Sequence, residues 1–423
     1  MYNINDECHI LNDLNKSEYS QINIKDTSIL INKNDNFKLK AITKIIIFFF
    51  SLIFIYLTYL FLILLVKYKK ELVKESKNLE NYLNLCNEGK LLNKIKFQKS
   101  ENPKISVITS VYNQAEYILR FLRSVQNQFF DDIEIIFVDD FSKDNSIKLI
   151  EEYQKEDQRI KLIKHRENKG TLISRNDGVL ASKGEYIIIP DIDDILSENI
   201  LYNCYETAKI NNYEMLRFNI YIGNQTIFFD NIVNNLENGP IYQPELSTYL
   251  FYGLGHLKQI DFNLSNKFIK REAYIRALNS MNEFYLNQYM TNLEDGTMNY
   301  ILYRSVKSFY FLKAIGYYYL QNNQSITIKP TENYDNKMRF IFLHWRFIFE
   351  NSKNNEYEKD IANFIFHRFY YLLKDDFHFI TKNYKFYYDI INTYLNCQFI
   401  NKGNKNLLNK LKKILDKKNN TLP

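Results

Sequence analysis

The chain has 423 residues, which is enough for a large core and for two domains. Hydrophobic residues make up 46% of it, and this content excludes an intrinsically disordered protein. The formal net charge is +6, but residues 401–423 hold seven Lys and one Asp and supply all of it. Because no basic surface is left for the rest of the chain, we expect no nucleic-acid partner.

The four cysteines are far apart and share neither a CxxC spacing nor a His partner at a metal-ligand interval. They are Cys8, Cys86, Cys204 and Cys397. We therefore expect neither a zinc site nor a disulfide framework. A single disulfide bridge is the one possibility left open.

An uncharged segment rich in Ile, Leu and Phe covers residues 45–66. At about 1.5 Å of rise per residue, a helix of this length spans about 33 Å, which is enough for a bilayer core. We predict a transmembrane anchor over residues 45–66, after a polar N-terminal tail over residues 1–44. The alternatives are a buried core helix and a signal peptide, although a signal peptide begins nearer the terminus. Similar numbers of Lys on both sides leave the membrane orientation open.

A charged segment over residues 67–102 follows the anchor, with Leu72, Leu79 and Leu83 along one side. We predict a stem helix over 67–100 that holds the next domain off the membrane. Pro103 closes the stem, because the residue before a proline is disfavoured in a helix.

Residues 103–330 alternate apolar strands with segments of helical period. The predicted strands are 105–110, 133–138, 159–164 and 186–189, and the predicted helices between them are 116–128, 146–154 and 172–181. The order βαβαβαβ predicts a parallel sheet with flanking helices. Residues 331–423, which contain little Gly or Pro, predict a C-terminal helical module.

Three of these strands end abruptly in small polar residues and carboxylates. Asp139 and Asp140 end the second strand, and Asp191, Asp193 and Asp194 follow the fourth. Ligands of open α/β sheets bind at the carboxyl ends of the strands, so these acids should line one crevice. Acids that share a crevice predict a divalent metal and a phosphate-bearing substrate.

This pattern resembles glycosyltransferase family 2, the inverting nucleotide-sugar transferases of GT-A fold. The matching segments, in chain order, are ISVITSVYN (105–113), VDDFSKDNS (138–146), NKG with SRNDG (168–178), ASKGEYIIIPDIDD (181–194), NKFIKR (266–271), LEDGTMNYIL (293–302) and YYLQNNQSIT (318–327). The resemblance implies an α/β GT-A fold, which is Rossmann-like and has a mostly parallel sheet flanked by helices.

The resemblance also implies roles for the acids. Asp295 would be the catalytic base, with its neighbour Glu294 as the second candidate. Asp193, helped by Asp191, would bind manganese or magnesium, and Asp194 would support them. The residues expected to contact the nucleotide-sugar donor are Val111, Tyr112, Asn113, Asp139, Asp140, Arg175, Asn176, Asp191 and Ile192.

Each of these residues also has a structural interpretation. The Asp139–Asp140 pair could cap a helix, although Ser142 or Asp144 could do so instead. Arg175 could be a surface residue, and Glu294 with Asp295 could simply be acids favoured at a helix N-terminus. The DxD acids could form a solvated turn.

Three features leave questions open. The family usually has Gly where Phe141 stands, which leaves the identity of the nucleotide base open. His256 is either a structural residue or a third metal ligand, and His344 is a weaker candidate. The amphipathic segment 404–418 either packs on the helical module or lies on an anionic membrane surface.

Together these features predict a single-pass, membrane-anchored, metal-dependent inverting glycosyltransferase. We expect a UDP-sugar donor, a glycan, protein or lipid acceptor, and a type II protein of the Golgi or endoplasmic reticulum. The alternative is a catalytically degenerate module that binds a glycan or a partner. The absence of a QxxRW motif argues against a processive polysaccharide synthase.

Overall fold

The computed structural model describes residues 33–91, 97–222, 225–227, 241–242, 263–291, 293–320, 334–351, 384–396 and 402–419. The chain divides into two compact units, Met1–Lys77 and Asn78–Pro423. Helix α1 covers Lys33–Asn87. Within the described residues, only this helix is long and apolar enough to cross a membrane: the window Ile46–Leu64 has a mean hydropathy of 2.6 and none of it is buried.

The stem helix ends earlier than the sequence predicts, at Asn87 rather than near residue 100. Gly89 follows with a φ of 67°, a left-handed conformation that commonly ends helices. The last turns of the helix belong to the second unit, because Cys86 is fully buried and the Tyr82 hydroxyl donates to the carbonyl oxygen of Leu196 at 3.2 Å. The prediction that the whole stem is a spacer is therefore wrong for its C-terminal turns.

The second unit is built on a large sheet whose described strands have the order β3-β2-β1-β4-β9-β6-β10-β5. The strands are β1 Ile105–Val111, β2 Ile133–Asp139, β3 Ile160–Lys164, β4 Tyr186–Ile188, β5 Ile195–Leu196, β6 Met215–Ile222, β7 Gln225–Ile227, β8 Ile241–Tyr242, β9 Lys267–Lys270 and β10 Ser308–Tyr319. The helices are α2 Ala115–Gln126, α3 Ser146–Glu156, α4 Thr171–Ala181, α5 Ile200–Asn211, α6 Arg271–Ser280, α7 Glu283–Leu286, α8 Glu294–Ser305, α9 Tyr334–Asn351, α10 Tyr384–Asn396 and α11 Lys402–Asn419.

The first half of the sheet is parallel and the second half is mixed. Strand β1 pairs in parallel with β2 and β4, and β2 pairs in parallel with β3, as the βαβ order predicts. Strand β9 then runs antiparallel to both β4 and β6, and β10 returns parallel to β6. The α/β fold is confirmed, with a mixed half that the sequence does not predict.

Both faces of the parallel half are covered, which explains why its strands are apolar at nearly every position. Ile108 and Ile136 belong to one core cluster, while their chain neighbours Val107 and Ile135 belong to the cluster on the opposite face. Successive side chains of a strand alternate between faces, so a strand covered by helices on both sides needs apolar residues throughout.

The C-terminal helices pack on the first of these clusters. Trp345 and Phe347 of α9 are buried in it, as are Leu408, Leu411 and Leu415 of α11. The buried leucines confirm that the amphipathic segment is a packed helix, and the alternative of an apolar face on a membrane surface is wrong.

Candidate active site

The loops after β1 and β2 are tied to each other at the carboxyl edge of the sheet. The backbone N–H of Asn113 donates to the Ser142 hydroxyl at 2.9 Å, and the N–H of Lys143 donates to Asn113 Oδ1 at 2.7 Å. Val111 is buried, whereas the side chain of Tyr112 is 48% exposed. Tyr112 is therefore available to a ligand at the point where β1 ends.

Asp139 holds the loop that follows it. Its Oδ2 accepts the backbone N–H groups of Phe141 at 3.1 Å and Ser142 at 3.0 Å. In the described part of the chain, the Oδ1 atom of this fully buried residue has no hydrogen-bond partner. These contacts show that Asp139 stabilises the loop. Its expected contact with the nucleotide-sugar donor stays a prediction.

Asp140 is the centre of a buried hydrogen-bond chain. Its Oδ1 lies 2.8 Å from His165 Nδ1, and the other ring nitrogen of His165 lies 3.0 Å from Asp177 Oδ2. The backbone N–H groups of Lys169 and Gly170 also donate to Asp140, each at 2.8 Å. A carboxylate with these donors is fixed in orientation, which suits a group that must recognise a ligand.

His165 is a residue that the sequence reasoning missed. It follows directly after the last residue of β3, so the rule that strand ends carry function also applies to it. A search of strand ends for carboxylates alone does not find this imidazole.

A second cluster forms around Arg175, whose side chain is 6% exposed. The guanidinium donates to Glu294 Oε1 at 3.0 Å, and it also forms ion pairs with Asp295 and with Asp191. Helix α4 supplies the cation, the turn after β4 supplies Asp191, and the N-terminus of α8 supplies the other two acids. Arg175 thus joins the two acid motifs, and it is neither a surface residue nor free of partners.

Burial changes the acidity of this cluster. Desolvation, followed by the charge of Asp295, raises the pKa of Glu294 to about 8, against the opposing effect of Arg175. Desolvation also raises the pKa values of Asp295 and Asp191. For Arg175 burial opposes the charged form, but Asp295, Asp191 and Glu294 outweigh it and its pKa lies well above the usual range. The cluster therefore pairs a permanent cation with acids of raised proton affinity.

The turn that carries the DxD acids is held by β10. Desolvation and the neighbouring acids raise the pKa of the buried Asp194 well above its usual range, and this residue bonds to Tyr317. Ile192 is 2% exposed in the core, which leaves only its backbone for the predicted donor contact. Asp193 remains half-buried, and its carbonyl oxygen accepts a hydrogen bond from Arg120.

The acids of this turn fit a divalent metal that a substrate helps to bind. Across the described ranges, no group of three or more His, Cys, Asp or Glu side chains could hold an ion. Mg²⁺ in phosphate-transfer sites is commonly held by one or two carboxylates together with substrate phosphates, and Mn²⁺ shares its preference for oxygen ligands. Asp193, with Asp191 beside Arg175, offers this smaller set of oxygen ligands.

The remaining candidates have structural partners or lie elsewhere. Asn176 accepts a hydrogen bond from the buried Tyr274 hydroxyl at 2.9 Å. His344 is buried and lies 2.9 Å from the Thr297 hydroxyl, and desolvation lowers its pKa to about 3. His256, the alternative metal ligand, lies outside the described residues.

The sheet and the acid clusters at its carboxyl edge define a glycosyltransferase of the GT-A class. Residues 106–276 match the family model of glycosyl transferase family 2. This match confirms the resemblance of this domain to glycosyltransferase family 2 that the motifs predict.

Similar proteins come from several bacteria. EpsH of Bacillus subtilis, a protein assigned to the glycosyltransferases, is 28% identical over 63% of this chain and 75% of its own length. The GalNAc(5)-diNAcBac-PP-undecaprenol beta-1,3-glucosyltransferase of Campylobacter jejuni is 27% identical over 68% of this chain and 86% of its own. The structure of Staphylococcus aureus TarS 1–349 in complex with UDP is similar with a TM-score of 0.53 and 18% identity, over 74% of this chain and 88% of TarS, which shows a shared fold.

Proposed function

We propose that the protein transfers a sugar from a UDP-sugar to an acceptor hydroxyl with inversion, at a membrane and with the help of a divalent metal. The observation that carries this proposal is the joint binding of Asp191 and Asp295 to Arg175. Asp191, in the expected metal-binding turn, pairs with Nη2 of Arg175, and Asp295, the expected base, pairs with Nη1.

Asp295 is the base of the proposed reaction. The side chain of Asp295 is 22% exposed and that of Glu294 is 10% exposed, so an acceptor reaches Asp295 more easily. Asp295 takes the proton of the acceptor hydroxyl while that oxygen forms a bond to the anomeric carbon. The bond between this carbon and the diphosphate oxygen breaks, and the nucleoside diphosphate leaves. One such displacement inverts the anomeric centre. The raised pKa of Asp295 suits a base that works near neutral pH.

Before the donor binds, the positive charge of Arg175 balances the negative charge of the acids. After the donor binds, it balances the negative charge of the donor diphosphate. A guanidinium can bind a diphosphate through two parallel N–H groups, and Arg175 already lies at the end of the DxD turn. Asp193 with Asp191 would hold the metal, which supplies positive charge to the departing diphosphate. Asp140, fixed by three donors, is the group we assign to the nucleotide base.

Among the possible substrates, a UDP-sugar donor and a lipid acceptor should be tested first. TarS, which shares the fold, has been solved with UDP and with UDP-GlcNAc. The name of the Campylobacter relative describes a glucosyltransferase of an undecaprenol-linked diphosphate, so among glycan, protein and lipid acceptors we give priority to a lipid.

Helix α1 is the proposed anchor, because its apolar window of 19 residues is long enough to span a bilayer core. Full-length protein should stay in membranes through a carbonate wash, and deletion of residues 1–70 should release it. Extraction of the full-length protein by carbonate would refute the anchor. Placement in the Golgi or endoplasmic reticulum stays a prediction, which glycosidase digestion of the sequon at Asn224 in cells tests.

The decisive experiment offers the full-length protein a panel of nucleotide sugars, with and without Mn²⁺, and measures release of the nucleoside diphosphate. We expect turnover of a UDP-sugar, which chelation and Asp193→Ala both abolish. Asp131→Ala, which removes an acid that is 64% exposed, is the control and should have no effect. Binding of nucleotide without any turnover, whatever acceptor is supplied, would favour the alternative of a degenerate binding module.

A further inference from the structure

The backbone of Phe141, the residue directly after Asp140, is strained. Its φ is 72°, in the left-handed region that residues with bulky side chains rarely occupy. The described non-glycine residues with positive φ are Asn113, Phe141, Asn212 and Leu293. Three of these four lie next to the acid clusters. Asparagine tolerates this conformation, so strain is concentrated at Phe141 and Leu293. Strain of this kind persists where the surrounding structure enforces it, and it often marks a functional position.

The loop around Phe141 is held from both sides. Asp139 accepts the N–H of Phe141, and Asn113 accepts the N–H of Lys143. The loop therefore cannot relax into an ordinary backbone conformation without losing these hydrogen bonds.

The ring of Phe141 is nevertheless not used for packing in the core. Phe141 is 36% exposed, and the ammonium group of Lys143 lies 3.0 Å from the ring centroid. Tyr112, which is also exposed, follows directly after the neighbouring strand, at the level of Asp140, because Val111 and Asp139 are paired in the register of β1 and β2. Two exposed aromatic residues thus follow adjacent strand ends, and one of them comes directly after Asp140.

We propose that Phe141 is a specificity-determining residue that stacks on the nucleobase of the donor and favours a pyrimidine. Stacking on an aromatic ring is available to every base. A phenyl ring at a position that could hold glycine also removes space beside the base, and this favours the one-ring uracil over the two-ring guanine. The hydrogen-bonded, left-handed backbone holds the ring in place. This inference rests on the proposed function, because it requires a nucleotide donor.

The test measures the affinities of the full-length protein in detergent for UDP, GDP and pyrophosphate by calorimetry. The variants are Phe141→Ala, Phe141→Gly and Phe141→Leu, and the last keeps bulk but has no π face. We expect each to bind UDP about ten- to a hundredfold more weakly. Pyrophosphate, which has no base, should bind all four proteins within about twofold. The preference for UDP over GDP should shrink in Phe141→Gly.

The strain has a separate readout. Glycine is usually less stable than alanine, because it loses more backbone freedom on folding. At a left-handed position this order reverses, so Phe141→Gly should unfold at a temperature no lower than Phe141→Ala. Asn212→Gly, at the left-handed end of α5, is the control and should leave UDP affinity unchanged.

Three results would overturn the inference. They are unchanged UDP affinity in Phe141→Leu and Phe141→Gly, an equal loss of UDP and pyrophosphate affinity, and a lower unfolding temperature of Phe141→Gly than of Phe141→Ala. A wild-type protein that binds no nucleotide would instead overturn the proposed function, before any variant is compared.

Discussion

The hydroxyl of Tyr317 donates a 2.6 Å hydrogen bond to Oδ2 of Asp194. The same hydroxyl oxygen accepts the backbone N–H of Asp191 at 3.1 Å. One side chain of β10 therefore fixes both ends of the turn that carries Asp193 between them. Tyr317 and Asp194 are both buried, so water cannot easily replace the bond between them.

Tyr317→Phe should weaken the donor site through this turn. The change leaves a buried carboxyl oxygen of Asp194 and the partly buried N–H of Asp191 without their partner, and an unsatisfied buried group costs about 1–3 kcal/mol of stability. We expect a lower unfolding temperature together with weaker metal-dependent UDP binding, both measured on the purified protein. Tyr319→Phe, on the same strand and half-buried, is the matched control. Equal effects of the two changes would show that Tyr317 has no special role.

Asp193→Ala should abolish transfer without unfolding the protein. The side chain is half-buried at the turn, and its removal takes away negative charge that the metal needs. Turnover should fall below detection, while the unfolding temperature in the presence of chelator stays close to that of the wild type. Full activity of the variant, or of chelated wild-type protein, would exclude a metal-assisted mechanism.

Asp295→Asn should stop transfer but spare donor binding. The amide keeps the size of the side chain and loses the basicity, and loss of a positioned base costs about 10²–10⁴ in rate. The affinity for the donor should stay within about tenfold, or about 1.4 kcal/mol, because Arg175 keeps Asp191 and Glu294 as partners. Single-turnover kinetics and calorimetry separate the two quantities.

Glu294→Gln is the matched comparison, since the two acids are neighbours and both contact Arg175. We expect it to be the milder change. A severe loss with Glu294→Gln and a mild one with Asp295→Asn would move the base by one residue. If neither change affects transfer, the base lies elsewhere, and His256 is the next residue to test.

The sequence predicts the first four strands, the helices between them and the edge of the sheet at which the acids meet, because apolar runs that end in carboxylates are a local signal. It does not predict the partners of those acids. The contact of Arg175 with Glu294 joins residues 119 positions apart, and the contact of Tyr317 with Asp194 joins residues 123 positions apart. Strand β9 enters the sheet antiparallel to β4, and no periodicity in one segment specifies that pairing. The end of α1 at Asn87 does have a local signal, which is the left-handed Gly89 two residues later.

His165→Asn should weaken nucleotide binding more than it slows the chemical step. The imidazole joins Asp140 to Asp177, and asparagine is too short to contact both. Asp140 then keeps only the N–H groups of Lys169 and Gly170, so its orientation is less restricted. We expect KM for the donor to rise about tenfold while kcat changes by less than about threefold. Asp177→Asn should have a smaller effect, since it leaves the contact between His165 and Asp140 in place. A fall in kcat with an unchanged KM would contradict this role.

The stability of the donor-free protein should fall as the pH rises from about 5 to about 8. Burial beside Asp295 raises the pKa of Glu294 from 4.5 to about 8, so across this range the folded protein holds a proton that the unfolded chain has released. Asp295 and Asp191, whose pKa values are also raised, act in the same direction. Glu134, whose pKa is lowered, makes the stability depend on pH only at values below this range.

Glu294→Gln tests this prediction, because glutamine cannot ionise. The variant therefore lacks the contribution of residue 294 to the change of stability with pH. Unfolding midpoints of wild type and variant should converge near pH 5 and separate near pH 8, where the variant should be the more stable protein. The measurement uses chelator and no nucleotide, so that neither ligand masks the acids. Glu283→Gln, at an exposed position, is the control and should follow the wild type. A variant whose midpoint falls with pH as steeply as that of the wild type would show that Glu294 is ionised in the folded protein at neutral pH.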